Sequence, residues 1–113
     1  MLFRSTVVEF ATVIAAPLGT SMLADLGARV IRVEPIEGDP FRQLYGNGFM
    51  TVKTTAGKES IYVDLKRPEA RDIVRGLLAN ADVLVHNYRP GVPERLGIGY
   101  EQVAAEHPGI VWV

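Results

Sequence analysis

Short β-branched runs alternate with helix-like segments along this sequence, and that alternation restricts the fold more than any other feature. Parallel neighbouring strands can be joined only by a crossover long enough to hold a helix, so strand-helix-strand order builds a parallel sheet covered by helices. Residues 6–10 (TVVEF) read as the first strand. Pro17 suits the first turn of a helix carrying Leu18, Met22, Leu23 and Leu26 on one side, and Gly27 supplies its left-handed end. Residues 29–34 (RVIRVE) form a second strand whose Val30 and Val33 face opposite sides, as a strand covered on both faces requires. Residues 60–64 (SIYVD) return to strand character. Pro68 then opens a helix with Ala70, Ile73, Val74, Leu77 and Leu78 at the spacing of a core-facing stripe. Residues 82–86 (DVLVH) make a fourth strand, and Arg89, Pro90 and Gly91 a turn. Residues 100–106 make a short helix and residues 110–113 (IVWV) the start of a fifth strand. The expectation is an α/β fold, an open parallel sheet with flanking helices.

Residues 35–58, with Gly38, Pro40, Gly46, Gly48 and Gly57, read as one loop, longer than compact domains keep without a function. The closing run Ile110, Val111, Trp112 and Val113 reads as a strand lying inside a sheet with more chain to follow; the alternative is a small domain tied down by a terminal strand. With 113 residues, 48% of them hydrophobic, one core forms without staples. Cysteine is absent, which removes disulfides, thiolate nucleophiles and Cys-ligated zinc. Twelve basic against 13 acidic side chains give a net charge of -1 and no global field for nucleic acid or an anionic membrane, so neither is an expected partner. Glu9 interrupts the apolar stretch that would otherwise imitate a signal peptide. Residues 11–18 contain Pro17 and fall far short of the roughly 20 apolar residues of a membrane helix. A cytoplasmic or organelle-matrix location is expected.

Ligands of open parallel sheets bind outside the carboxyl ends of the strands, which directs attention to the residues after Phe10, Glu34, Asp64 and His86. Glu34 stands where dinucleotide-binding folds place a ribose-binding acid. The first turn, Ala15-Ala16-Pro17-Leu18-Gly19, lacks the spaced glycines that admit a pyrophosphate, and no P-loop is present. Glu34 is therefore read as a solvated or cation-paired carboxylate in preference to a ribose ligand. Lys66 and Arg67 precede the helix opened by Pro68 and either meet a phosphate or remain a solvated pair. Arg89 and Arg95 flank the Pro90-Gly91 turn, and a guanidinium can grip phosphate with two parallel bonds. His86 and His107 are the only histidines, and no G-x-S-x-G elbow accompanies Ser5, Ser21 or Ser60. His86 reads as hydrogen-bonded scaffolding before it reads as a catalyst. A transition-metal site is not expected, while a carboxylate-bound magnesium stays open.

The order of these segments adds information: VVEFATVIAAP, LADLGARVIRVEP, EGDPFR, GKESIYVDLKRPE, ADVLVHNYRPGV and RLGIGY. In this order they resemble the family III CoA-transferases, which include formyl-CoA and carnitine CoA-transferases and the α-methylacyl-CoA racemases. The resemblance runs from Val7 to Val113. It implies that residues 1–113 are the amino-terminal, CoA-binding part of a larger Rossmann-like α/β domain, in subunits that form interlocked homodimers. It also implies that Thr12, Val13, Ile14 and Ala15 line the CoA site with Pro35 beside the adenosine end, joined by Val63 and Lys66 and completed by Asn87, Tyr88, Arg95 and Leu96. Lys66 and Arg95 become partners of the pyrophosphate and 3′-phosphate. Coenzyme A or acyl-CoA is then a substrate, with a carboxylic acid as the other partner, and no tightly bound cofactor is expected. Transferases of this kind work through an aspartate that attacks the thioester, and racemases through a base and acid pair; by the resemblance both lie beyond Val113, which leaves the chain alone without catalytic residues.

Departures from the family pattern bear on substrate. Ile14 stands where formyl-CoA transferases carry glutamine, which suits an apolar acyl group better than oxalate or formate. Ala16 replaces the usual glycine before proline, and Thr54, Thr55 and Ala56 precede Gly57-Lys58 where relatives often carry asparagine or arginine. The readings to be separated are a CoA-transferase, an acyl-CoA racemase of the same family, a non-catalytic Rossmann-like binding module, and a nicotinamide-dependent enzyme with an unusual phosphate turn.

Overall fold

The computed structural model describes residues 4–44, 48 and 51–113. Five strands form one parallel sheet: β1 (Thr6–Phe10), β2 (Arg29–Glu34), β3 (Lys58–Tyr62), β4 (Val83–His86) and β5 (Val111–Trp112), in the order β3-β2-β1-β4-β5. The helices are α1 (Ala15–Asp25), α2 (Pro40–Gln43), α3 (Val52–Thr55), α4 (Ala70–Leu78), α5 (Val92–Leu96) and α6 (Tyr100–Glu106). The chain winds outward from β1 to β3, returns to pair β4 on the other side of β1, and so creates a topological switch point between β1 and β4.

Alternation along the strands fills two cores. On one face Val8, Phe10, Val33 and Leu84 meet Ala70, Val74 and Leu78 of α4, Val103 of α6, and Ile98 and Val63. On the other, Val7, Val30 and Val85 with Ala28 meet Ala16, Leu23 and Ala24 of α1. Val30 and Val33 do face opposite sides, as the sequence predicts.

Several expectations are corrected. The apolar side of α1 is not the buried one: Met22 is 58% and Leu26 62% exposed, Leu18 is exposed too, and the buried residues are Pro17, Thr20 and Ser21. The sheet beneath α1 presents both kinds of surface: Val7, Val30 and Val85 meet Ala16, Leu23 and Ala24, while Glu9 and Lys58 meet Thr20. Strand β3 begins and ends two residues earlier than expected, its pairing with β2 starting at Val30 opposite Lys58, whose ammonium reaches under α1 to Glu9 at 2.7 Å. The long loop contains two one-turn helices, α2 and α3, and Asp39 caps the first by accepting from Phe41 N–H at 2.8 Å; Gly46 and Asn47 lie outside the described residues. An unforeseen helix, α5, is bracketed by Gly91 and Gly97 at φ 83° and 79°, a conformation that costs other residues strain. Within the α4 stripe Ala70, Val74 and Leu78 are buried, whereas Ile73 lies on the exposed flank. Strand β5 forms an outer edge, with Val111 and Val113 exposed.

Candidate ligand site at the carboxyl edge of the sheet

The turn between β1 and α1 opens at the switch point and is held from both sides. Asn87, just past β4, uses its side-chain amide twice on Thr12: its Oδ1 accepts from Thr12 N–H at 3.1 Å and its Nδ2 donates to Thr12 O at 2.7 Å. From the β2 side, Asp39 accepts from Val13 N–H at 3.2 and 3.0 Å. Between these clamps Val13 sits at φ 69°, unusual for a β-branched residue. Val13 and Ile14 are 41% and 46% exposed, and Ala15 is exposed beside them, so the turn presents an apolar surface at the sheet edge. Pro35 begins the turn after β2 and accepts from Gly38 N–H at 2.8 Å, which leads the chain into Asp39.

A charged network lies under this turn. Glu9 and Arg32 are directly opposite in the β1–β2 register, with Arg32 Nε 3.2 Å from Glu9 Oε1, and Arg32 also pairs with Asp39. Lys58 donates to Glu9 at 2.7 Å, to Pro17 O at 2.7 Å and to Thr20 Oγ1 at 2.8 Å, and Thr20 in turn donates to Glu9. Burial pulls the Lys58 ammonium below its ordinary pKa, an effect that Glu9 opposes. Glu34 forms a second unit: Arg42 reaches it at 2.6 and 2.9 Å, Ser60 at 2.7 Å and the Asp39 N–H at 3.0 Å. Burial raises its pKa, but the hydrogen bonds from Arg42, Ser60 and Asp39, with the Arg32 charge, outweigh that and hold it at about 2. Of the two readings of Glu34 the cation-paired one holds; it is buried and not solvated.

On the opposite face, past β3 and β4, a cleft of about 480 Å³ is lined by Lys66, Arg67, Arg71 and Arg95 with Leu65, Pro68, Val92 and Leu96. Four cations and no carboxylate line it, so it favours an anion. Lys66, Arg95 and Leu96, expected from the sequence to share a site, are brought together here; Arg89 does not line this cleft, and Arg71, in the first turn of α4, is an addition. Arg67 also borders a second hollow of about 620 Å³ with Ile36, Val63 and Asp64. Val63 is largely a core residue whose N–H donates to Glu34 O at 2.9 Å. Tyr88 and Leu96 pack against that same core. Burial raises the Tyr88 phenol pKa. His86 is scaffolding: its Nδ1 accepts from Tyr88 N–H at 3.1 Å, its ring lies 4.5 Å from that of Trp112, and burial lowers its pKa. Among the described residues no group of three or more His, Asp or Glu is placed to hold a metal.

Besides Arg71, the residues missed were the buried charges Glu9, Arg32, Asp39 and Lys58. A signal was available for two of them: Glu9 in TVVEF and Arg32 in RVIRVE are charges embedded in strands covered on both faces, and a charge so buried requires a partner.

A doubly wound parallel sheet with helices on both faces defines a Rossmann-like α/β fold. The chain belongs to CoA-transferase family III, whose family profile matches residues 4–113. It is 35% identical to succinyl-CoA–D-citramalate CoA-transferase of Chloroflexus aurantiacus over 113 residues, covering 95% of this chain and 28% of that protein. It is 37% identical to acetyl-CoA:oxalate CoA-transferase of Acetobacter aceti over 111 residues, covering 94% and 28%. Among solved structures, a hypothetical protein of Mycobacterium tuberculosis matches with a TM-score of 0.92 at 34% identity, over 98% of this chain and 31% of that one. A CaiB/BaiF family protein of Brucella suis matches with a TM-score of 0.91 at 34% identity, over 96% and 31%. The chain thus spans less than a third of the length of these relatives.

Proposed function

We propose that this chain supplies the CoA-binding part of a family III CoA-transferase, an enzyme that moves CoA between an acyl-CoA and a carboxylic acid. The observation that carries this reading is the cleft of Lys66, Arg67, Arg71 and Arg95, free of carboxylates and on the same sheet edge as the exposed turn at Val13 and Ile14. CoA carries a pyrophosphate and a 3′-phosphate at one end and an apolar, amide-bearing arm at the other. The cations suit the phosphates, which guanidinium and ammonium groups bind with charge-assisted hydrogen bonds. Thr12, Val13, Ile14 and Ala15 suit the arm, with Pro35 assigned to the adenosine end, Leu96 to the cleft wall, and Val63 and Tyr88 to the core that supports it. Asn87 enters this reading indirectly, since both ends of its amide are engaged on Thr12.

Attack on the thioester belongs, in this reading, to an aspartate outside residues 1–113, so the chain binds CoA and does not turn it over. Transfer is preferred to racemisation because the relatives named above are transferases. The proposed working form is a cytoplasmic homodimer; Leu18, Met22 and Leu26 give α1 apolar surface available to such contacts. No helix among the described residues is long and apolar enough to cross a membrane.

Calorimetric titration of the folded chain with CoA tests the reading. Lys66→Ala and Arg95→Ala are each expected to weaken binding by roughly 1 to 3 kcal/mol, the range of losing a hydrogen-bond partner. Unchanged affinity in both variants overturns the assignment of the phosphates to this cleft.

A further inference from the structure

Among the described residues Val13 alone of the non-glycine residues has positive φ. A β-branched side chain crowds the backbone there, and such a conformation persists only where the surroundings impose it. Asn87 holds the preceding Thr12, and at Val13 itself the hold comes from one side chain. Asp39, fully buried, receives the Val13 N–H on both carboxylate oxygens at 3.2 and 3.0 Å, across 26 positions of sequence. The carboxylate is fixed in turn by its cap contact to Phe41 N–H and by Arg32, which faces Glu9, which holds Lys58. This chain of buried charges ends on the backbone amide of an exposed residue. An N-terminal cap on the one-turn helix α2 needs one acceptor oxygen; the second oxygen, the negative charge and the reach to Val13 exceed what capping requires.

We infer that Asp39 is a positioning residue that holds Val13 in its left-handed conformation, and so sets the surface that Val13 and Ile14 offer to a ligand, without touching the ligand itself. The inference rests on the reading that this turn meets the apolar arm of CoA. It predicts that binding depends on a carboxylate buried beneath the site and that the dependence passes through the conformation of one residue.

The test compares Asp39→Asn, Val13→Gly and the double variant, using CoA titration together with NMR of the Val13 amide. Asparagine retains an acceptor for Phe41 N–H but removes the charge that Arg32 requires. Asp39→Asn is expected to lower CoA affinity at least tenfold, to speed hydrogen exchange of the Val13 amide, and to move Val13 out of positive φ. Glycine adopts φ near 69° unaided, so the same Asp39→Asn change made in the Val13→Gly background should cost less than a third of that loss. Equal losses in both backgrounds, or a folded Asp39→Asn chain with Val13 still at positive φ, overturn the inference. If Asp39→Asn does not fold, Val13→Gly alone decides: relief of a held strain raises its thermal midpoint, and a lowered midpoint overturns the premise. Failure of the wild-type chain to bind CoA would defeat the proposed function separately, because exchange and φ at Val13 report the hold exerted by Asp39 without any ligand.

Discussion

Replacing Glu34 by glutamine should make the stability of this chain less dependent on acid. Glu34 is buried and accepts four hydrogen bonds, two from Arg42 and one each from Ser60 and the Asp39 backbone, all between 2.6 and 3.0 Å. Its pKa is lowered from 4.5 to about 2. At about 1.4 kcal/mol per pKa unit, that displacement corresponds to about 3 kcal/mol of stability. The sign follows from proton counting. Between pH 2 and 4.5 the unfolded chain binds a proton at this site that the folded chain rejects, so the contribution is complete above pH 4.5 and disappears as pH falls toward 2. About half of it should remain at pH 3. Urea unfolding followed by circular dichroism, on wild type and Glu34→Gln at pH 7 and pH 3, measures this directly. The gap between the two proteins should narrow by about 1 to 2 kcal/mol on going to pH 3. A gap that stays constant between these pH values would refute the account of Glu34 as an ionised, buried partner of Arg42.

Asn87→Ala removes both clamps on Thr12. In a partly exposed turn that should cost about 1 kcal/mol of stability in urea unfolding, together with a measurable loss of CoA affinity; affinity equal to wild type would detach the turn from the site. Met22→Gln should change stability by no more than about 0.5 kcal/mol, because the side chain faces solvent. A loss of several kcal/mol on thermal unfolding would restore the apolar side of α1 to the core.

The sheet was readable because its central strands are covered on both faces, which leaves them as runs of Val, Ile and Phe whose ends are marked by glycine, proline and charge. Strand β1 therefore has the expected limits, and β2 as well. What the sequence concealed depends on partners far away along the chain. Lys58 looks like the end of a loop until Glu9, 49 positions earlier, is known to lie beneath it. Leu18, Met22 and Leu26 look like a core stripe until the sheet under α1 is seen to carry Glu9 and Lys58, both of which Thr20 meets by hydrogen bonds. The carboxyl-edge position of Lys66 and Arg95 was legible, from strand ends and from family resemblance together. Arg71 was not, because only the packing of α4 beside α5 turns a helix-surface arginine toward the same cleft. Asp39 lay inside a motif that marked the family but carried no sign of its hold on Val13.

The most direct test of the central claim is NMR mapping of amide shifts as CoA is added to the folded chain. The account predicts saturable changes concentrated at residues 12–15, 65–71 and 92–96, along the carboxyl edge of the sheet. Absence of any change up to millimolar CoA, or changes confined to the opposite edge near Ala28, Ala81 and Ile110, would contradict it.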